Sequence, residues 1–567
     1  MKWIQSKAKR KPNSADAPLD IIAKLRGIDE VDKFLNPTAD ELNDPYLIKN
    51  IEDASNRIIM AIKNNERIVL SYDADADGIT ATTVLRRYLG NYTDNVDFIY
   101  NERNHGHGIN EQTGTYFIQD VIDENKMDRL HLNAININKI MDADLLIIVD
   151  SSTNDTSACK MIREEFETEI IILDHHAIEQ DNPYALLVNP QQLGDEYPNK
   201  HLSGAGVVFK TIQVIEETLC EVDIWQYIDL VAVGMYGDMM RVDVLENRYI
   251  IMEGLRNMKN VGLVRILKGA KADMYRLNGD SIGFSIAPMI NGVARLDNII
   301  LAIEIFMTDD DKIAKKLRLQ MQKLNEKRKE IQKETVDRYM ELVDASKKII
   351  IVMDDNSSKG FNGLVSQQLS ELYKRPAIVG RLHKGVLSGS FRSFGGFDLK
   401  QFLQDSCLVE EAMGHPQAGG ISVKEENIEK LILYIEKNIP ELNEKGKVAM
   451  YDFEINVEEV NDYIRVIERF NLVAGNGFPK ISVRVNGITI EDVETIGKTQ
   501  ETRKFKTFDN IELIRFKVNE NYASELSVFD IIDAIGELSV NEFYHFGLKQ
   551  KIITSQVRVI DYKMSEN

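Results

Sequence analysis

Cysteine is scarce in this 567-residue chain. Cys159, Cys220 and Cys407 lie far apart and form no C-x-x-C pair, which excludes a cysteine-built zinc or iron–sulfur site and suits a reducing cytoplasm. Long apolar runs are missing too: no stretch of 18 or more residues could span a bilayer. The N-terminal Lys2, Lys7, Lys9, Arg10 and Lys11 lead into no apolar segment, so no secretory signal and a cytoplasmic location are expected. Positive charge is in deficit. A net charge of −21 argues against a protein that coats nucleic acid nonspecifically, because such affinity grows with the number of phosphates met by Lys and Arg.

That deficit is uneven. Between Lys312 and Arg338 ten basic residues stand against four acids, a basic island that reads either as the solvated face of a long helix or as a local groove for a polyanion. The length predicts three or four domains. From Asn50 to about Val242 strand and helix signals alternate. The apolar runs Arg67–Tyr72, Leu145–Val149 and Ile170–Leu173 have the continuous pattern of buried parallel strands, and a helix is expected over Thr80–Leu89. Ile299 to about Ala345 reads as one long connecting helix. Beyond it lies an α/β unit in which 359–363, 385–393 and 414–420 read as glycine-rich loops. Short alternating strands from about Val448 onward predict a small β-barrel. The expected fold class is therefore α/β with a parallel sheet. Its expected parts are an N-terminal extension (1–49) packing on the core, a catalytic domain (50–298), a connecting helix (299–346), a second α/β domain (347–445) and a barrel (446–567).

The chemistry gathers at the strand ends. Asp73, Asp75 and Asp77 alternate after the first strand, and in an extended segment they would share one face. Asp150 ends the next run, Asp174-His175-His176 the next, and Asp238 follows the apolar segment 230–234. In parallel sheets ligands bind outside the carboxyl ends of the strands, so these groups are expected to meet in one crevice. Any one such Asp could be a helix cap or a turn residue. Several at successive element ends, joined by two imidazoles, point instead to oxygen-rich binding of Mn²⁺ or Mg²⁺ and to two-metal phosphoryl chemistry.

The set Asp73-Ala74-Asp75-Ala76-Asp77-Gly78, Val149-Asp150, Asp174-His175-His176 and Gly237-Asp238 resembles the DHH phosphoesterase family, and specifically its bacterial single-strand exonucleases. Ser203-Gly204-Ala205-Gly206, Ile282-Gly283-Phe284, Gly389-Ser390-Phe391-Arg392 and Gly414-His415-Pro416 extend the resemblance across nearly the whole chain. It implies a DHH-associated second domain and an OB-like barrel. It also implies two divalent cations, Mn²⁺ or Mg²⁺, held by Asp75, Asp77, Asp150, His175 and Asp238. Asp150 would bridge the ions, Asp73 would stand behind them, and His176 would contact the scissile phosphate. Arg103, Arg295, Ser390, Arg392 and His415 match phosphate-holding positions. Ser71 departs from the pattern, standing where many relatives place a histidine ligand, and it suggests a divergent, phage-encoded member.

The implied activity is 5′-to-3′ hydrolysis of single-stranded DNA by a monomer, with a single-strand-binding protein or helicase as partner. Within the family the alternatives are an oligoribonuclease or a cyclic-dinucleotide phosphodiesterase. The alternative of another class is a catalytically silent scaffold in a replication complex. Phe470, Phe478, Phe505 and Phe508 are candidates for base stacking, with barrel core as the competing use of most of them.

Overall fold

The computed structural model describes residues 1–13, 16–99, 108–109, 139–296, 298–355, 357, 359–440, 442, 448–497, 500–518, 521–545 and 550–565. It divides into two compact units: Met1–Glu41, Arg241–Tyr249 and Lys445–Asn567 form one, and Leu42–Met240 with Ile250–Glu444 form the other. The N-terminal strand β1 (Lys2–Gln5) belongs to the first unit.

In the second unit, β2 (Ile68–Tyr72), β3 (Val96–Phe98), β4 (Leu145–Val149), β5 (Glu169–Leu173) and β6 (Leu186–Val188) build a five-stranded sheet in the order β3-β2-β4-β5-β6. Every neighbouring pair is parallel. All five residues of β2 and of β4 are buried, which is why these strands read as unbroken apolar runs. The chain leaves β2 for β3 on one side and returns to β4 on the other, so the connections diverge between β2 and β4. A crevice opens at the carboxyl ends of strands at such a switch point.

Three boundaries differ from the sequence reading. The helix after β2 runs over Ala76–Leu89 and begins inside the Asp run, because Asp75 caps it. The connecting segment is two helices, Ile300–Met307 and Asp311–Met340. Asp310 starts the second by accepting from the N–H groups of Lys312 and Ile313. Residues 359–363, expected as a loop, open the helix Lys359–Tyr373.

The 30-residue helix Asp311–Met340 is about 45 Å long at 1.5 Å per residue. Its C-terminal half buries Val336 and Tyr339 against β7 (Ile350–Met353), β8 (Ala377–His383) and the helix Lys359–Tyr373. With β9 (Val386–Arg392), β10 (Glu411–His415) and β11 (Ala418–Lys424) these strands form a second sheet, ordered β10-β11-β9-β8-β7. Segments 385–393 and 414–420, expected as glycine-rich loops, are largely strand. Gly389 lies so close to Val379 that a Cβ would sit 2.4 Å from its carbonyl oxygen.

In the first unit, β1 pairs with β12 (Val448–Tyr451). Strand β13 (Phe453–Asn456) joins β14 (Val483–Ile496), β15 (Thr502–Thr507), β16 (Ile511–Phe516), β17 (Ile531–His545) and β18 (Gln550–Met564). Pairing runs β14-β15-β16-β18-β17 and returns from β17 to β14. Three of these strands have 14 or 15 residues, longer than the short strands expected. Arg248 is fully buried in this unit and donates to the carbonyls of Phe34 (2.6 Å), Val473 (2.8 Å), Phe470 (3.2 Å) and Val242 (3.4 Å). Its guanidinium lies 3.8 Å from the centroid of the Phe34 ring. No helix among the described residues is long and apolar enough to cross a membrane.

Candidate active site

The carboxylates converge at the switch point between β2 and β4. Asp75 takes extended backbone at φ −141°, and its Oδ1 accepts from the N–H groups of Asp77 (3.0 Å) and Gly78 (3.2 Å). The alternating Asp residues therefore enter a helix rather than sharing one face of a strand. Asp77, in the first turn, is buried and lies at the start of another helix, Gly204–Leu219. There it accepts from Gly204 N (2.6 Å), Ala205 N (3.0 Å) and Ser203 Oγ (2.9 Å). A helix N-terminus is a favourable place for an anion, which keeps this carboxylate in place without a cationic side chain.

Asp150 follows β4 with φ at +60°, a left-handed conformation that Asp tolerates better than most residues. Its side chain packs against Gly204, where a Cβ would lie 2.6 Å from the Asp150 Cβ. Gly234 plays the same part for Asp77, whose Oδ1 is 2.4 Å from its Cβ position. Asp238 caps the C-terminus of the helix Ile228–Gly237, so it is a helix-end acid and not a strand-end one.

His175 Nε2 is surrounded by three carboxylates: Asp150 Oδ1 at 3.2 Å, Asp238 Oδ2 at 3.4 Å and Asp77 Oδ2 at 3.9 Å. Asp174 is buried and turns to the other histidine. Its Oδ1 lies 2.7 Å from His176 Nδ1 and accepts from the backbone of His175 (2.7 Å). Its Oδ2 accepts from Thr153 Oγ1 (2.6 Å) and Thr153 N (3.2 Å). Because Asp174 only accepts here, Nδ1 of His176 carries the hydrogen. The two imidazoles, adjacent in sequence, thus have opposite surroundings. The rings are 4.6 Å apart.

The electrostatics are strained in one direction. Burial, then the charges of Asp77, Asp75, Asp174 and Asp73, raise the Asp150 carboxyl well above the usual carboxylate range. Burial, then the charges of Asp77, Asp75 and Asp73, push Asp238 up to about 8 against the opposing charge of His176. Burial also opposes ionisation of Asp174, but the His176 hydrogen bond and charge, with His175 and Thr153, outweigh it and hold the carboxyl low. Asp150 Oδ1 is buried and accepts no hydrogen bond among the described residues. Among the described residues, no Lys or Arg pairs with Asp77, Asp150 or Asp238. Oxygen donors around a single imidazole, with a carboxylate oxygen left unsatisfied, fit a hard divalent cation.

The expected phosphate holders form a second group. Arg295 Nη1 donates to Gly360 O (2.5 Å), and Arg392 Nη2 lies 2.8 Å from the Cβ position of Gly363, so both guanidinium groups meet the N-terminal part of the helix Lys359–Tyr373. Burial lowers the pKa of Arg392. Ser390 lies two residues before it on β9. His415, exposed at the end of β10, aligns through Ala418 with Arg392 across three strands. Arg103 lies outside the described residues. Ser71 is buried on β2. Ser203, Gly204, Gly234 and Thr153 received no role from sequence, although Ser-Gly-Ala-Gly before an apolar helical run is a readable N-cap signal.

Comparison with known proteins adds the following. Residues 67–235 match the DHH family, N-terminal domain, and residues 451–552 match the RecJ OB domain. The chain is 29% identical over 571 residues to the SPbeta prophage-derived single-strand DNA-specific exonuclease YorK of Bacillus subtilis, covering 93% of each chain. It is 29% identical to the single-stranded-DNA-specific exonuclease RecJ of the same organism, covering 96% of this chain and 69% of that one. The crystal structure of RecJ in complex with Mn²⁺ from Thermus thermophilus superposes with a TM-score of 0.76 at 21% identity, over 100% of this chain and 80% of that one.

Proposed function

We propose that this chain, a DHH-family protein that also carries a RecJ OB domain, is a metal-dependent 5′-to-3′ exonuclease specific for single-stranded DNA. One observation carries the reading: three carboxylates crowd His175 at the sheet's switch point, and buried Asp150 Oδ1 accepts no hydrogen bond among the described residues. Asp75, Asp77, Asp150, His175 and Asp238 would hold two divalent cations, Mn²⁺ or Mg²⁺, with Asp150 shared and Asp73 behind them. When bound, such ions neutralise phosphate charge and acidify water.

The chain's own residues do the rest. Ser203 and the N–H groups of Gly204 and Ala205 fix Asp77, and Gly204 leaves room for Asp150. His176, oriented by Asp174, presents Nε2 to the scissile phosphate. Arg295, Ser390, Arg392 and His415, with Arg103, would hold the strand's phosphates; arginine suits that task because its planar fork meets phosphate oxygens two at a time. Water attacks phosphorus in line, the bond to the 3′ oxygen breaks, and that oxygen takes a proton. The products are a 5′-mononucleotide and a strand with a new 5′ phosphate. The basic helix Asp311–Met340 offers a track for the backbone. Such an enzyme would work as a monomer in a cytoplasm, during DNA repair, recombination or replication, beside a single-strand-binding protein or helicase.

The test uses 5′- and 3′-labelled single strands, short and long, of DNA and RNA, with Mn²⁺ or Mg²⁺. Mononucleotides from the labelled 5′ end of long DNA are expected, and Asp150→Asn should abolish them. Label released first from the 3′ end would overturn the polarity. Preference for the shortest strands would favour an oligonucleotidase, and intact strands in every case would favour a silent scaffold.

A further inference from the structure

One end of the C-terminal barrel carries an apolar patch that the exonuclease reading does not use. Strand β14 is interrupted there by a register shift between Ile490 and Asp492, and three segments gather on it. Phe508 N–H donates to Thr489 O (3.1 Å) and Phe529 N–H to Ile490 O (2.8 Å). Ile531 pairs with Thr489, and the next residue, Ile532, pairs with Met564. Five apolar side chains are thereby held out to solvent: Phe508, Val528, Phe529, Ile531 and Met564, each 43 to 71% exposed. The rings of Phe508 and Phe529 lie parallel to within 2°, with centroids 5.1 Å apart, too close to admit a base between them.

Phe529 has φ at +71°, in the left-handed region that disfavours a bulky side chain. The residue is 71% exposed and returns little burial for that strain. Glycine would serve the turn better, and the ring carried instead stacks on Phe508, itself 48% exposed.

Charge decides the kind of contact. The gathered segments carry Glu491, Asp492, Asp509, Glu525 and Asp530, against Lys506 and Lys563. Lys506 is engaged by Glu494 and by Asp492 (3.8 Å), and Lys563 lies 4.7 Å from the centroid of the Trp3 ring, which leaves Glu491, Asp509, Glu525 and Asp530 without a Lys or Arg partner among the described residues. A phosphodiester backbone would meet repulsion here, whereas a cationic chain would be attracted. We infer that this end of the barrel docks a partner protein through a basic segment bearing aromatic or leucine side chains. Phe508, a base-stacking candidate from sequence, belongs to this surface, while Phe470, Phe478 and Phe505 are buried.

The test measures anisotropy of three short fluorescent peptides and a fluorescent dT oligonucleotide with the full chain. One peptide alternates Lys with Phe and Leu, one has Glu for each Lys, and one has Ser for each Phe and Leu. Only the first is expected to bind, and Phe529→Gly should weaken it at least about tenfold while leaving oligonucleotide binding and strand cleavage unchanged. Phe529→Gly removes the ring and relieves the backbone, so its Tm should equal or exceed that of the parent. Phe508→Ser should give the same loss of peptide binding. Binding of the Glu peptide equal to that of the Lys peptide, or no peptide binding at all, overturns the proposal. So does a lower Tm for Phe529→Gly, or loss of oligonucleotide binding in its place, the latter marking a base-stacking platform. Cleavage is read separately, so failure here leaves the exonuclease reading standing.

Discussion

Two places in this molecule bury charge, and they resolve it in opposite ways. Around Arg248 a single guanidinium is enclosed by four main-chain carbonyls and the face of Phe34. Burial pulls its pKa down to about 9, which leaves it cationic at neutral pH, and its hydrogen bonds are made within the fold. Around His175 the carboxylates of Asp77, Asp150 and Asp238 gather within 3.9 Å of one imidazole, and among the described residues no Lys or Arg pairs with them. A buried charge satisfied by the chain supports the structure. One left in excess waits for a ligand, so the same burial marks a brace in one unit and a site in the other.

The contrast can be broken most sharply at Asp150. Asp150→Asn should lower the cleavage rate by at least ~10³-fold, yet leave the metal-free protein as stable as the parent or more so, because repulsion is relieved. A large loss of thermal stability in this variant would make the cluster a brace as well. Arg248→Met should do the reverse and cost about 3 kcal/mol or more of unfolding free energy by leaving carbonyls buried without donors, while the turnover of folded molecules is kept. An unchanged denaturation midpoint would remove Arg248 from the comparison.

Smaller effects should sharpen it. Adding Mn²⁺ should raise the Tm of the parent, by about 2.7 kcal/mol of stability at a hundredfold excess over Kd, and should raise Asp150→Asn less. Equal shifts would place the metal elsewhere. The smallest effect is on pH. Asp238, pushed up to about 8 in the fold, has a higher pKa there than in the unfolded chain. The folded state therefore holds the extra proton, and the stability it confers is lost as pH rises through about 8. Metal-free protein should melt lower at pH 9 than at pH 6, with a weaker dependence in Asp238→Asn. A slope identical in that variant would assign the effect to another group.

The same division explains what sequence could tell. The parallel sheet was legible because strands buried on both faces are apolar throughout, and Asp73, Asp150 and Asp174 were legible because they follow those strands, whereas Asp238 follows a helix. The split of the connecting helix was masked by a proline-free sequence whose break rests on the Asp310 cap. Asp75 reads as a member of an alternating triplet until its capping bonds are seen. Arg248 was illegible for a different reason. Its partners are carbonyl oxygens, which every residue has, brought from positions near 34 and 473 by the fold alone. The residues that steady the carboxylates are likewise small: Gly204 and Gly234 act by what they lack.

The backbone of Asp150 bears on how such a protein could decay. At φ +60° the position accepts Asp, Asn or Gly with little strain and resists β-branched residues. If Asp150 serves the metal site as proposed, a single-base change from Asp to Asn or to Gly would therefore silence the chemistry without disturbing the sheet. Descendants that keep this architecture as a passive component should carry one of those two residues here.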